Sequence, residues 1–138
     1  MVKHLQIFWS GLYNMTDEVK KYFNGLLHKV NGLYVIQVTD RDGVPLLRVS
    51  QNKNLDFALM PSFIPTFATA SEQAGKLGLG RNKVIISMYS NYQVVQMNKL
   101  PLILTFVGGE HCNTGHILAL EHQLDVHLGD IKLAVNEA

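Results

Sequence analysis

A single cysteine, Cys112, stands in 138 residues, so no internal disulfide framework can form and the chain suits a reducing compartment. Charge of one sign is lacking too: a formal net charge of +1 offers no reason to invoke nucleic acid. The apolar stretch Leu5 to Tyr13 is interrupted by Gln6 and lacks a small-residue cleavage site. It also falls far short of the roughly 20 residues that span a bilayer, so neither a signal peptide nor a membrane span is expected there. Lipid-anchor signals are missing as well. Val2 occupies the place where myristoylation needs glycine, and no prenylation box closes the C-terminus, so any membrane residence is expected to come through partners. There are no internal repeats and no low-complexity tract.

What is present is material for a core. With 47% hydrophobic residues, a chain of this length can form one domain without help from disulfides or metal. Thr16 followed by Asp17 and Glu18 is a helix N-cap signal, and Val19, Tyr22, Phe23, Leu26, Leu27 and Val30 recur at helical spacing. Asn31-Gly32 ends that run. Two β-rich stretches, Leu33 to Val38 and Val44 to Val49, flank Asp40-Arg41-Asp42-Gly43 and predict a hairpin with Gly43 supplying a positive φ.

Gln51 to Asn54 reads as a loop, and Pro61-Ser62 reads as the entrance to a second helix that reaches Lys76 or Leu77. On that helix Phe63, Phe67, Ala70, Ala74 and Leu77 are expected to form the core stripe. Ile64, Ala68, Ser71 and Gly75 line a neighbouring face of mostly small side chains. Either tight packing on the chain's own sheet or a subunit contact would account for that face. Val84 to Tyr89, Tyr92 to Met97 and Leu102 to Val107, joined by short links, predict an antiparallel meander. A last helix, capped by Asn113, carries Ile117, Leu120, Leu124, Leu128 and Ile131 inward. The expected class is α/β, an α+β sandwich of order αββαβββα.

Candidate chemistry dissolves on inspection. The glycines of Gly75 to Arg81 close a helix and precede a strand, whereas phosphate loops follow a strand and open a helix. Asp40 to Gly43 lacks the further oxygen ligands of a calcium loop, and Val49 stands where an EF-hand needs Glu. His111, Cys112, His116, His122 and His127 crowd the end of the chain. At ~100° per residue, however, His122 and His127 diverge by about 140°, and neither stands close enough to His116 to share an ion, so no shared metal is expected. No base, orienting carboxylate and oxyanion hole surround Cys112, so no enzyme is expected and no cofactor is called for.

The hairpin Gly32-Leu33-Tyr34-Val35-Ile36-Gln37-Val38-Thr39-Asp40-Arg41-Asp42-Gly43-Val44-Pro45 resembles the opening hairpin of the roadblock family. Gly75-Lys76-Leu77-Gly78-Leu79 with Asn82-Lys83, and Tyr92-Gln93-Val94-Val95-Gln96 with Leu100-Pro101-Leu102, extend the likeness, which runs from about Met15 to the C-terminus. Residues 15–138 are thus expected to form a roadblock-type domain, with a five-stranded, mainly antiparallel sheet flanked by helices, and residues 1–14 to form an extension outside the fold.

The resemblance implies a non-enzymatic adaptor that heterodimerises with a second roadblock subunit within a Ragulator-like complex. It implies a lipidated anchor subunit that holds the complex on late endosomes and lysosomes, MEK and ERK kinases and Rag GTPases as further partners, and support of MEK–ERK signalling and TOR activation. Carried over by position, the dimer surface falls on Ile64, Phe67, Ala68, Ser71 and Gly75 of the second helix and on Val84, Ile86 and Met88 of an edge strand. The absence of Pro and of inward charge from that strand suits pairing with another chain. A small-molecule-sensing domain of related fold is the alternative, and it would require a cavity with convergent polar groups.

Overall fold

Buried Val19, Phe23, Leu26 and Leu27 lie on one face of helix α1, residues 17–29, as their spacing predicts, and buried Val30 follows directly after its last turn. The computed structural model of the chain describes residues 17–51 and 63–137. The expected Thr16 cap and Pro61-Ser62 helix entrance lie outside those residues. Gly32, at φ +81°, turns the chain out of α1 into strand β1, Leu33–Thr39, which pairs antiparallel with β2, Pro45–Ser50. At their turn the Asp40 carboxylate accepts the N–H groups of Asp42 and Val44, each at 2.9 Å, and Gly43 takes φ +90°.

Helix α2, Phe63–Gly75, leads to β3, Val84–Met88, β4, Tyr92–Lys99, and β5, Leu102–Gly109. The five strands form one wholly antiparallel sheet in the order β2-β1-β5-β4-β3. β5 is central and buried along its whole length, while β2 and β3 are the edges.

Each face of the sheet meets a different partner layer, because alternate side chains point opposite ways. On one face Ile36, Val38, Val95, Met97, Leu104 and Phe106 pack with α1 and the C-terminal helices in the main core. That core includes the inward stripe Ile117, Leu120, Leu124, Leu128 and Ile131, all buried. The helix carrying the stripe is two helices, α3, Thr114–Ala119, and α4, Glu121–Glu137, so the element order is αββαβββαα. The break falls at Leu120, whose N–H bonds the Ile117 carbonyl in a tighter turn, and the stripe continues inward on both sides of it. Asn113 caps α3 as its position predicts, its side chain accepting the His116 N–H at 3.0 Å.

Polar contacts tie the C-terminal helices to β4 on this face. The Gln93 side-chain amide donates to the carbonyls of Gly109 and Cys112, and the Thr114 hydroxyl donates to Gln93 Oε1. At the other end of β4, Lys99 Nζ lies 2.7 Å from Glu121 and 3.0 Å from Asp125. Burial alone would lower the Lys99 pKa, but the two carboxylates outweigh it and hold the ammonium above its ordinary value.

The opposite face carries Val35, Val94, Val107 and Ile103, and α2 lies over it through Phe63, Ile64 and Phe67. This corrects the core stripe expected for α2: Ile64, Phe67 and Ser71 are its buried residues, whereas Ala70 and Leu77 are exposed. Ile64 and Phe67 cluster with Ile103 of β5, a neighbour no local pattern could supply.

Candidate partner interface

The last strand of the sheet on the α2 side of the chain order, β3, has β4 on one flank and no strand on the other among the described residues. Which of its backbone groups face that open flank follows from two hydrogen bonds. Tyr89 N–H donates to the Tyr92 carbonyl at 2.8 Å, and Asn98 N–H to the Lys83 carbonyl at 2.8 Å. Both join directly opposite residues, and in an antiparallel ladder such hydrogen-bonded pairs alternate with non-bonded ones. Given the register Ile85↔Gln96 and Ser87↔Val94, residues 83, 85, 87 and 89 spend their polar backbone groups on β4. Val84, Ile86 and Met88 therefore turn their N–H and C=O groups outward. The opposite edge is blunter, since β2 opens with Pro45, which has no N–H to offer.

Side chains along the same edge split between the two sheet faces. Val84 packs against the main core, and beyond it Ile86 and Met88 leave 41% and 72% of their surface exposed, an apolar strip along the free edge. Ile85, Ser87 and Tyr89 point the other way, toward α2. There, with Phe63, Thr66 and Ala70, they line a groove of about 230 Å³ whose floor is Val94 and Gln96. Strand edge and groove are contiguous, so an incoming element can pair with backbone on β3 and bury apolar surface against α2 at once.

The residues expected at a dimer surface are distributed unevenly over this geometry. Val84, Ile86 and Met88 all lie on the edge strand with outward-turned backbone. Ile64 and Phe67 do not face outward: at 2% and 4% exposure they belong to the chain's own interior against Ile103. Ser71 is buried as well, its hydroxyl donating to Asn82 Oδ1 at 3.1 Å and so tying α2 to the segment that enters β3. Half-buried Ala68 and exposed Gly75 line a separate depression on the other flank of α2. The groove residues Thr66, Ala70, Ile85, Ser87 and Tyr89 were not expected. For the strand, period-2 alternation was the available signal, since whatever faces α2 must be the odd-numbered set.

The other candidate residues have ordinary structural surroundings. Cys112 is buried where Gly32 and Gly108 approach it, and burial pushes its thiol pKa up, away from reactivity. His111 is exposed beside Glu110, and His127 stacks on Tyr22 with ring centroids 3.6 Å apart. Among the described residues no three His, Cys, Asp or Glu side chains gather in a way that could hold a metal ion. No helix among them is long and apolar enough to cross a membrane.

Comparison with known proteins bears on the family and the fold. The chain is 82% identical over 124 residues to the Ragulator complex protein LAMTOR3 homolog of Drosophila melanogaster, covering 90% of this chain and 100% of that protein. MglB of Myxococcus xanthus has the same fold at a TM-score of 0.70 and 14% identity, covering 84% of this chain and 88% of that one. A Roadblock/LC7 domain from Streptomyces avermitilis aligns at a TM-score of 0.57 and 10% identity, over 80% of this chain and 92% of that one. The sheet and its helices are thus a roadblock fold. Residues 17–135 match the family described as mitogen-activated protein kinase kinase 1 interacting, and the chain belongs to that family.

Proposed function

We propose that this protein is a non-enzymatic scaffold subunit that heterodimerises with a second roadblock-domain subunit through β3 and the adjoining α2 groove. The observation that carries the reading is the β3 edge, open to strand pairing among the described residues, where Ile86 and Met88 turn their backbone groups outward beside a contiguous apolar groove while the outward Val84 carbonyl accepts from Asn82 Nδ2 at 3.4 Å. The partner supplies a strand to the edge and a helix to the groove. Apolar surface at Ile86, Met88 and Tyr89 is desolvated while strand backbone fixes the register.

The Drosophila relative is named for the Ragulator complex and the family for interaction with a mitogen-activated protein kinase kinase. On that basis the heterodimer works in a Ragulator-like complex on the cytoplasmic face of late endosomes and lysosomes. A lipidated anchor subunit holds it there, MEK and ERK kinases and Rag GTPases are its further partners, and it supports MEK–ERK signalling and Rag-dependent TOR activation. Residues 1–14 serve as an extension outside the roadblock domain, consistent with a family match that opens at residue 17.

Light scattering on a sizing column, with the chain alone and then mixed with the second roadblock subunit from the same organism, tests the pairing. A stable one-to-one complex is expected. A monomer indifferent to that subunit would reduce the reading to shared fold.

A further inference from the structure

A second depression, separate from the β3 groove, opens beneath the C-terminal half of α2 with a volume of about 290 Å³. Elements from three places in the chain converge on it: Arg41 from the β1–β2 turn, Leu100 from the β4–β5 turn, and Arg81 and Asn82 from the segment before β3. Neither arginine has a carboxylate within ion-pair distance among the described residues. Asn98, which also lines the pocket, has a buried Oδ1 with no hydrogen-bond partner there. Such an atom costs free energy unless something supplies a donor.

The rim adds an apolar component. Between Gly75 and Arg81, both at the pocket, the chain displays Leu77 and Leu79 at 72% and 87% exposure, and Leu100, which lines the pocket, is 43% exposed. Gly78 and Gly80 hold that loop with φ of +78° and +91°, a conformation that other residues adopt only under strain. Exposed leucines in a loop that begins and ends at the pocket, together with Leu100 and two arginines without a carboxylate partner among the described residues, give the site both an apolar and a cationic component.

We propose that this pocket receives a short acidic, leucine-rich peptide segment of a partner protein. One carboxylate of the segment sits between Arg41 and Arg81, and aliphatic side chains cover Leu100 and the loop leucines Leu77 and Leu79. Glu72, which also lines the pocket, offsets one of the two positive charges, so the site suits a single carboxylate rather than a phosphate dianion. Concavity favours a peptide, whose single side chain can enter the depression, over a bilayer surface.

The test is an NMR titration of the full chain with three probes: acetyl-Leu-Glu-Leu-Glu-Leu-amide, its Gln-for-Glu analogue, and vesicles of phosphatidylcholine with phosphatidylserine. Saturable shifts of the Asn98 side-chain amide and the Leu77 and Leu79 methyls are expected with the acidic peptide. Binding should weaken about tenfold with the Gln analogue and with Arg81→Gln, and stay unchanged with Ile86→Pro. Equal binding of the two peptides, indifference to Arg81→Gln, or the absence of saturable shifts would overturn the proposal. Vesicles perturbing the same signals while the peptides do not would overturn it in favour of an anionic membrane surface.

Discussion

Proline substitutions at adjacent positions of β3 should have opposite consequences, and the difference can be worked out from the ladder. Ile86 turns its N–H to the open edge, so Ile86→Pro removes no bond to β4. The cost to the free chain is a partial loss of a side chain already 41% exposed plus a modest backbone adjustment, together about 1 kcal/mol. Ser87 is bonded to Val94, which is 2% exposed, so Ser87→Pro deletes a ladder bond and strands a buried carbonyl. That loss and the ring's clash should cost about 3 kcal/mol or more.

Binding to the second roadblock subunit should reverse the ranking of harm. In Ile86→Pro the partner loses a backbone donor at the centre of the shared edge and meets a pyrrolidine ring instead. An unsatisfied buried group alone is worth about 1–3 kcal/mol, or roughly 5- to 150-fold in affinity. Thermal unfolding followed by calorimetric titration reads both effects. Near-normal melting with lost binding is expected for Ile86→Pro, and a large drop in melting temperature for Ser87→Pro. An Ile86→Pro protein that binds normally, or that unfolds as readily as Ser87→Pro, would refute the reasoning.

Other expectations follow from the same geometry. Ala70→Glu, at an exposed position in the α2 groove, should weaken partner binding about tenfold in calorimetric titration while leaving the melting temperature unchanged. Gly108→Ala should destabilise the chain by about 1–3 kcal/mol in urea titration, because the added methyl would lie 2.6 Å from Cys112 Cβ and 3.0 Å from the Gly32 carbonyl oxygen. Cys112 should react slowly with a thiol-specific reagent in the native state and fast in denaturant, since burial disfavours its thiolate. Lys99, with its pKa raised, should stabilise the fold fully below the ordinary lysine range and lose that contribution as pH climbs through and above it. With Glu121 and Asp125 at 36% and 45% exposure, the effect should be about 1 kcal/mol or less, read as the difference between wild type and Lys99→Met in melting curves from neutral to strongly alkaline pH.

Local patterns made most of the elements legible. The hairpin turn, the Asn113 cap and the stripe from Ile117 to Ile131 are short-range features, and each lies where spacing put it. Helix α2 was harder because Phe63 and Ile64 are consecutive and small apolar residues occupy several of its faces. Hydrophobicity alone therefore could not set its rotation. Burial of Ser71 depends on Asn82, eleven residues on, and burial of Ile64 and Phe67 depends on Ile103 of a distant strand. The same limit applies to the interface: outward groups on β3 follow from strand order and register, which are long-range properties, although alternation already divided 84, 86 and 88 from 85, 87 and 89. The pocket under α2 was not legible at all, since its arginines lie forty residues apart and meet only in the folded chain.

Amide hydrogen exchange along β3 tests the central claim most directly. In the free chain the N–H groups of Ile85, Ser87 and Tyr89 should be protected by β4, while those of Val84, Ile86 and Met88 exchange quickly. Addition of the second roadblock subunit should slow exchange at Ile86 and its even-numbered neighbours, completing protection along the strand. A complex that forms while those three amides continue to exchange quickly would contradict pairing through the β3 edge.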